Sequence, residues 1–264
     1  MKNKLFLFML VAVIGILAAC GATEKETSTG SSSDTTSENS KVLRVGTSAD
    51  YAPFEYVDTK VSEEIIGFDI DLAKEVADRL GYELQFTNGD FNSLIPALQA
   101  DKFDFVISGM TPTEERDKVV DFSTPYYETE QYTVSLKKNN IKSMEDLKGK
   151  TVGAQTASIQ EDLAKTFAPE HGFTVESRDL IPQLIQELKN GRLDAAIIEN
   201  IVSENYLSQN DDLAAFPVEV EEPDYKAIAF QEGSELKPEF DKVIQELIDE
   251  GKIEELKEKW FVVE

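Results

Sequence analysis

The sequence holds one cysteine, Cys20, and one histidine, His171, in 264 residues. Without a second cysteine it forms no internal disulfide. With so little Cys and His it offers neither a Cys/His zinc site nor a Cys–His nucleophile. A Ser–His–Asp system would rest on His171 alone, and Ala168-Pro169-Glu170-His171-Gly172 reads as a surface turn between elements, not as a catalytic centre. Basic residues are scarce too: 26 Lys and Arg against 51 Asp and Glu give a formal charge of −25. A surface this acidic repels phosphate backbones, so nucleic acid is not an expected partner. Glu-rich faces such as Glu254-Glu255 and Glu258 read as solvated helix surface. No phosphate-binding loop or spanning helix appears, and neither a cofactor nor a metal is expected.

What is present begins with Met1-Lys2-Asn3-Lys4, followed by the apolar run Leu5 to Leu17 and then Leu17-Ala18-Ala19-Cys20-Gly21. A basic start, a short apolar core and small residues make a secretory signal over 1–19, too short for a span of roughly 20 residues. A cysteine in this place resembles a bacterial lipobox. The resemblance implies cleavage before Cys20 and lipid attachment to its thiol, palmitate included. The exported chain would then be anchored on the outer face of the cytoplasmic membrane, in the Gram-positive manner. Residues 20–40 are Ser, Thr, Gly, Glu, Asp and Asn with scarcely an apolar side chain, which makes a flexible linker.

Order is expected from Lys41 to Thr47, a strand-like run ending in a turn. Between Gly67 and Leu80, Leu72, Ala73, Val76, Ala77 and Leu80 recur at helical spacing, two aspartates lie near the start, and Gly81 follows. Glu83 to Thr87 reads as a strand. An internal echo follows: Leu94-Ile95, Leu98 and the buried run 102–107 share their spacing with Leu184-Ile185, Leu188 and 192–197. Val45-Gly46-Thr47 rhymes with Val152-Gly153-Ala154. Two α/β units are the natural reading, each a mostly parallel sheet covered by helices. Phe240, Val243, Ile244, Leu247 and Ile248 share a face of a helix ending at Gly251, and a second helix runs from about Lys252 to Trp260. These late helices are read as returning to the first unit. That gives lobe 1 as 41–128 with 225–264, lobe 2 as 129–224, and a hinge where the chain crosses twice.

The run Gly67-Phe68-Asp69-Ile70-Asp71-Leu72-Ala73 resembles the signature of the polar amino-acid family of bacterial extracellular solute-binding proteins, receptors of ABC importers. Tyr51-Ala52-Pro53-Phe54-Glu55, Asp90 to Leu98 and Ser108 to Arg116 resemble the same family, and the likeness extends from about residue 41 onward. It implies a two-lobed periplasmic-binding-protein-like fold with the ligand cleft between α/β lobes. It also implies a monomer that binds a free amino acid and delivers it to a permease and ATPase on separate chains, not an enzyme.

The residues of one segment argue independently. Thr111-Pro112-Thr113-Glu114 has a capping-box pattern with proline at the first helical position. Arg116 in a first turn opposes the helix dipole, and a bound carboxylate explains it. Pairing with Asp117 or Asp121 is the plainer alternative. From the resemblance, Tyr51 and Phe91 become aromatic walls, and Ser108 and Gly109 meet the ligand's α-ammonium. Thr111 and the amides of Ser158, Ile159 and Gln160 hold the carboxylate. Glu199 stands where the family generally has an aspartate facing the ammonium. Ser48 stands where many members have an acid, with Asp50, Glu55 or Gln160 as candidates to serve the side-chain end. A basic amino acid (arginine, lysine, histidine or ornithine) is the first expectation, with glutamine or another polar amino acid second. A dehydratase using Glu199 as general acid and a surface adhesion or sensory module are the readings from other classes.

Overall fold

The computed structural model describes residues 41–220 and 223–261. The signal-like segment, Cys20 and the linker to residue 40 lie outside the described residues. Two five-stranded sheets organise the rest. In the first, strand Lys41–Thr47 pairs in parallel with Tyr82–Asn88 on one side and Phe105–Val106 on the other; Ala229–Phe230 then joins antiparallel and Asp121–Phe122 closes the edge. In the second, Thr151–Gln155 lies in parallel between Thr174–Arg178 and Ala195–Glu199, while Gln131–Leu136 and Leu213–Val218 complete it antiparallel. Both sheets are therefore mixed, where the sequence pattern predicted mostly parallel ones. The antiparallel members are strands at the points where the chain leaves and re-enters a sheet, which carry no βαβ spacing.

The sequence echo has a steric cause. Val45 and Gly46 face Phe105 and Val106, and Val152 and Gly153 face Ala195 and Ala196, so each glycine sits in an inner strand beside the central one of its sheet. A Cβ on Gly46 would come within 2.5 Å of the Phe103 ring, and one on Gly153 within 2.5 Å of a Leu193 methyl. Each glycine thus makes room for the apolar residue that leads into the next strand. The following aspartates repeat the scheme: Asp104 accepts from the Arg44 amide at 2.7 Å and Asp194 from the Thr151 amide at 3.0 Å. Lys102-Phe103-Asp104 and Arg192-Leu193-Asp194 are thus one device used twice. The strand that follows is only Phe105–Val106, shorter than the predicted run 102–107, because Asp104 already ties the chain to Arg44.

Seven helices cover these sheets among the described residues: α1 Phe68–Leu80, α2 Phe91–Gln99, α3 Ile159–His171, α4 Ile181–Lys189, α5 Asn200–Ser208, α6 Leu236–Asp249 and α7 Lys252–Trp260. In α1, Leu72, Ala73, Val76 and Ala77 are buried as their spacing predicts, and Gly81 closes the helix in the left-handed region. Its first amides, of Phe68 and Asp69, donate to the carbonyls of Pro53 and Phe54. That contact fastens α1 to the Tyr51–Phe54 turn. Helix α7 returns to α1, with Lys259 Nζ and Trp260 Nε1 at 2.6 and 2.8 Å from Asp71 Oδ2. The two crossings between sheets run side by side as an antiparallel ribbon, Tyr127–Thr129 with Asp224–Lys226.

Three local expectations need correcting. Ala168 to His171 is the last turn of α3, not a surface turn, and Gly172 caps it in the left-handed region. Thr111 to Glu114 opens no α-helix: Arg116–Lys118 is a single 3-10 turn, capped by Thr113 Oγ1, which accepts from the Arg116 amide at 3.2 Å. Ile248, read as part of the buried face of α6, is 39% exposed, since α6 ends at the next residue.

Candidate functional site

Between the ends of strands Lys41–Thr47 and Thr151–Gln155 lies a narrow cavity lined from both sheets. Strand Lys41–Thr47 and its neighbour Phe105–Val106 deliver Ser48 and Ser108 to one wall. The start of α3 delivers Ser158, Ile159 and Gln160 to the other. The structure brings together Ser48, Asp50, Tyr51, Phe91, Ser108, Gly109, Thr111, Arg116, Ser158, Ile159 and Gln160 as cavity lining, with Glu55 and two residues not anticipated, Gln155 and Lys226. Glu199 is not part of the lining. It is fully buried just behind Lys226.

Arg116 dominates one end. Its Nη1 donates to the Thr111 carbonyl at 2.6 Å and its Nη2 to the Ala157 carbonyl at 2.9 Å, and its guanidinium carbon lies 5.4 Å from the Phe91 ring centroid. These are neutral partners, and no carboxylate stands within ion-pair distance among the described residues. Burial consequently lowers the guanidinium from its usual range to about 10. A half-buried guanidinium whose direct partners are two carbonyls and a ring, with the Asp162 and Glu115 charges acting from farther off, keeps its fork available to an anion. The first amides of α3, which have no intrahelical acceptors, face the same space. Ser158 caps that helix by accepting from the Glu161 amide at 3.1 Å. The Gln160 side-chain amide is tied to the second sheet, with Nε2 donating to Gln131 Oε1 at 2.9 Å.

Along the floor, Ser108 Oγ donates to Glu55 Oε1 at 2.8 Å and accepts from the Ser48 amide at 2.9 Å. Its hydroxyl is therefore committed to the wall. Beneath it, Asp69 accepts from the Gly109 amide at 2.7 Å and from the Tyr126 hydroxyl at 2.9 Å. Both acids are fully buried. Desolvation, with the neighbouring Asp69 charge, pushes Glu55 well above the carboxylate range, and desolvation raises Asp69 to about 6. Gly109, at φ 48°, has the Tyr51 ring where a Cβ would come to 3.0 Å. Only glycine lets that aromatic wall lie over the strand end.

At the other end, Asp50 Oδ1 accepts from Ser48 Oγ at 2.8 Å, and Oδ2 accepts from the Ile181 amide at 2.7 Å and from Gln155 Nε2 at 3.4 Å. Asp50 thus reaches from the first sheet's side to the first amide of α4. Desolvation raises its carboxyl despite those donors. Glu199 is raised by desolvation too, and the Lys226 charge opposes that shift. Lys226 Nζ lies 2.5 Å from Glu199 Oε2 as an ion pair without hydrogen-bond geometry, and donates to Thr111 Oγ1 at 3.2 Å.

Gln155, a polar residue closing the buried run Val152-Gly153-Ala154, was findable as a strand-end group. Lys226 was not, because Tyr225-Lys226-Ala227 carries no charge pattern that distinguishes a buried lysine from a surface one. Among the described residues no cluster of His, Cys, Asp and Glu is placed to hold a metal ion, and no helix is long and apolar enough to cross a membrane.

Residues 43–263 match the model of the bacterial extracellular solute-binding proteins, family 3. The chain is 47% identical over its full length to the whole of the arginine-binding extracellular protein ArtP of Bacillus subtilis. A solved ancestral arginine-binding protein with arginine bound is 43% identical, with a TM-score of 0.78 over 84% of this chain and 98% of that one. The ancestral amino-acid-binding protein AncCDT-1, a precursor of cyclohexadienyl dehydratase, is 36% identical, with a TM-score of 0.75 over 84% of this chain and 95% of that one.

Proposed function

Since the chain belongs to family 3 of the bacterial extracellular solute-binding proteins, we propose that it is the receptor of an ABC importer that captures a basic amino acid, arginine first. The observation that carries this reading is Arg116, half-buried at one end of the cavity with carbonyls as its direct partners and no carboxylate in ion-pair contact. The α-carboxylate would take the place of that missing anion, joined by Thr111 and by the amides at the start of α3. The α-ammonium would lie toward Glu199 and the Gly109 carbonyl. The side chain would run between Tyr51 and Phe91 toward Asp50 and Ser48. Aromatic faces and the Asp50 carboxylate suit a guanidinium or ammonium tip better than an amide. The bound-arginine relative and ArtP support the same choice.

Ligand contacts come from both sheets, so binding favours the closed cleft. Lobe 1 would comprise 41–128 and 225–264, and lobe 2 would comprise 129–224. The receptor would work as a monomer, held at the outer face of the cytoplasmic membrane by a lipid on Cys20, and would hand its cargo to a separate permease and ATPase. A dehydratase would need Glu199 free to donate a proton, and here Lys226 holds it in an ion pair.

Titration calorimetry of the purified protein with arginine, lysine, ornithine, histidine and glutamine tests the reading. The basic amino acids should bind, and Arg116→Ala should weaken them by about 100-fold or more, the loss expected when a buried charge partner is removed. Absence of binding by all of them, or unchanged affinity in Arg116→Ala, overturns it.

A further inference from the structure

Lys226 is contributed by the returning strand of the crossover ribbon, and it is 1% exposed. Its ammonium sits between Glu199, at the end of the second sheet's strand Ala195–Glu199, and Thr111, which belongs to the first sheet's side of the cavity. It is the only cation paired with Glu199 among the described residues, and the Tyr51 hydroxyl is the other donor acting on that carboxylate. A fully buried carboxylate left without that cation would be costly. The acid read as the partner of the ligand's α-ammonium is thus already matched by an ammonium that belongs to the chain.

We propose that Lys226 is a specificity-determining residue, a built-in stand-in for the ligand's α-ammonium that fills the Glu199 subsite until an amino acid exchanges its own ammonium for it. The proposal rests on the amino-acid reading of the cavity. Binding then replaces one ion pair on Glu199 by another, so the α-ammonium adds little to affinity. Recognition falls instead on the carboxylate at Arg116 and on the side-chain end at Asp50. A ligand that lacks the α-ammonium leaves Lys226 where it stands and strands no buried charge. The displaced Lys226 ammonium keeps an acidic neighbour, because Asp69 lies within its field. The glutamate at position 199, one methylene longer than the aspartate expected there, suits a cation supplied from the chain's own crossover strand.

The test compares L-arginine with 5-guanidinopentanoic acid, the same molecule without its α-amino group, by titration calorimetry. The unsubstituted protein should prefer arginine by less than about tenfold. In Lys226→Met, Glu199 has no cation until arginine arrives. Arginine should then bind at least about tenfold tighter than before, and its preference over the desamino compound should exceed about 100-fold. The unliganded variant should also melt at a lower temperature. Should Lys226→Met fail to fold, the double variant Lys226→Met/Glu199→Gln removes both charges, and its preference should stay below about tenfold.

An unchanged preference in Lys226→Met, or arginine binding more weakly in it, overturns the proposal and makes Lys226 a structural partner of Glu199. A preference above about 100-fold in the double variant overturns it as well. Failure of arginine to bind the unsubstituted protein, or unaltered binding in Arg116→Ala, overturns the amino-acid reading itself and the proposal with it.

Discussion

Asp69→Asn separates a buried charge from the hydrogen bonds around it. Asp69 is fully buried at the start of α1, accepts from the Gly109 amide and the Tyr126 hydroxyl, and has its carboxyl raised from 3.8 to about 6, desolvation being the largest cause. Between those two values the folded protein holds a proton that the unfolded chain has released. Stability from this group is therefore fully present below about pH 4 and is lost as pH rises through about 6. A shift of about 2 units corresponds to about 3 kcal/mol. Guanidinium unfolding at a series of pH values gives the stability of each protein, and the quantity of interest is the difference, unsubstituted minus variant. That difference should fall by about 2 kcal/mol from pH 4 to pH 6.5. Asparagine lowers stability overall through its poorer hydrogen bonds, which offsets the curve without tilting it. Removing the Asp69 charge also relieves one of the causes that raise Glu55, which tilts the difference in the same direction. Parallel stability profiles would refute the assignment of an energetically strained charge to Asp69.

Asp50→Asn keeps an acceptor for the Ile181 amide and removes the charge at the side-chain end of the cavity. Affinity for arginine should fall about tenfold while that for glutamine stays unchanged; calorimetry showing equal losses for both would make Asp50 a structural tie between sheets and not a counter-charge. Cys20→Ser should move the exported protein from the membrane fraction to the soluble one. A thiol that mass spectrometry of the unsubstituted protein finds unmodified would end the anchoring proposal.

The elements legible in the sequence were those whose cause is local. Leu72, Ala73, Val76 and Ala77 mark α1 by period, and Gly81 marks its end. The echo of Gly46-Phe103-Asp104 in Gly153-Leu193-Asp194 marks two sheets because one packing problem is solved twice in the same way. The antiparallel strands were not legible, since Gln131–Leu136 and Ala229–Phe230 owe their places to where the crossovers return. The capping-box pattern at Thr111 misled for a related reason. The Thr111 carbonyl is bound by Arg116 and its hydroxyl by Lys226, and those contacts hold the segment open where a helix would have formed. Ser108 and Gln160 illustrate a further limit. Sequence placed them at the cavity, but only the structure shows that their side chains are bonded to Glu55 and Gln131.

The two cations of the cavity are unequal, and that inequality says which end of a ligand decides binding. Arg116 bonds carbonyls only, whereas Lys226 faces a carboxylate at 2.5 Å. A zwitterion entering the cleft therefore meets one unmet demand, for an anion at Arg116, and one demand already met at Glu199. The chain's formal charge of −25 acts in the same direction from outside. It draws cationic ligands toward the protein and opposes anionic ones. A lone carboxylate is opposed by that field, whereas a net positive amino acid is drawn in before its carboxylate meets Arg116. Arginine, lysine and ornithine have that charge, and glutamine does not. The proposed preference for a basic side chain would thus rest on the long-range field as well as on Asp50, and raising the ionic strength should slow association of arginine more than that of glutamine.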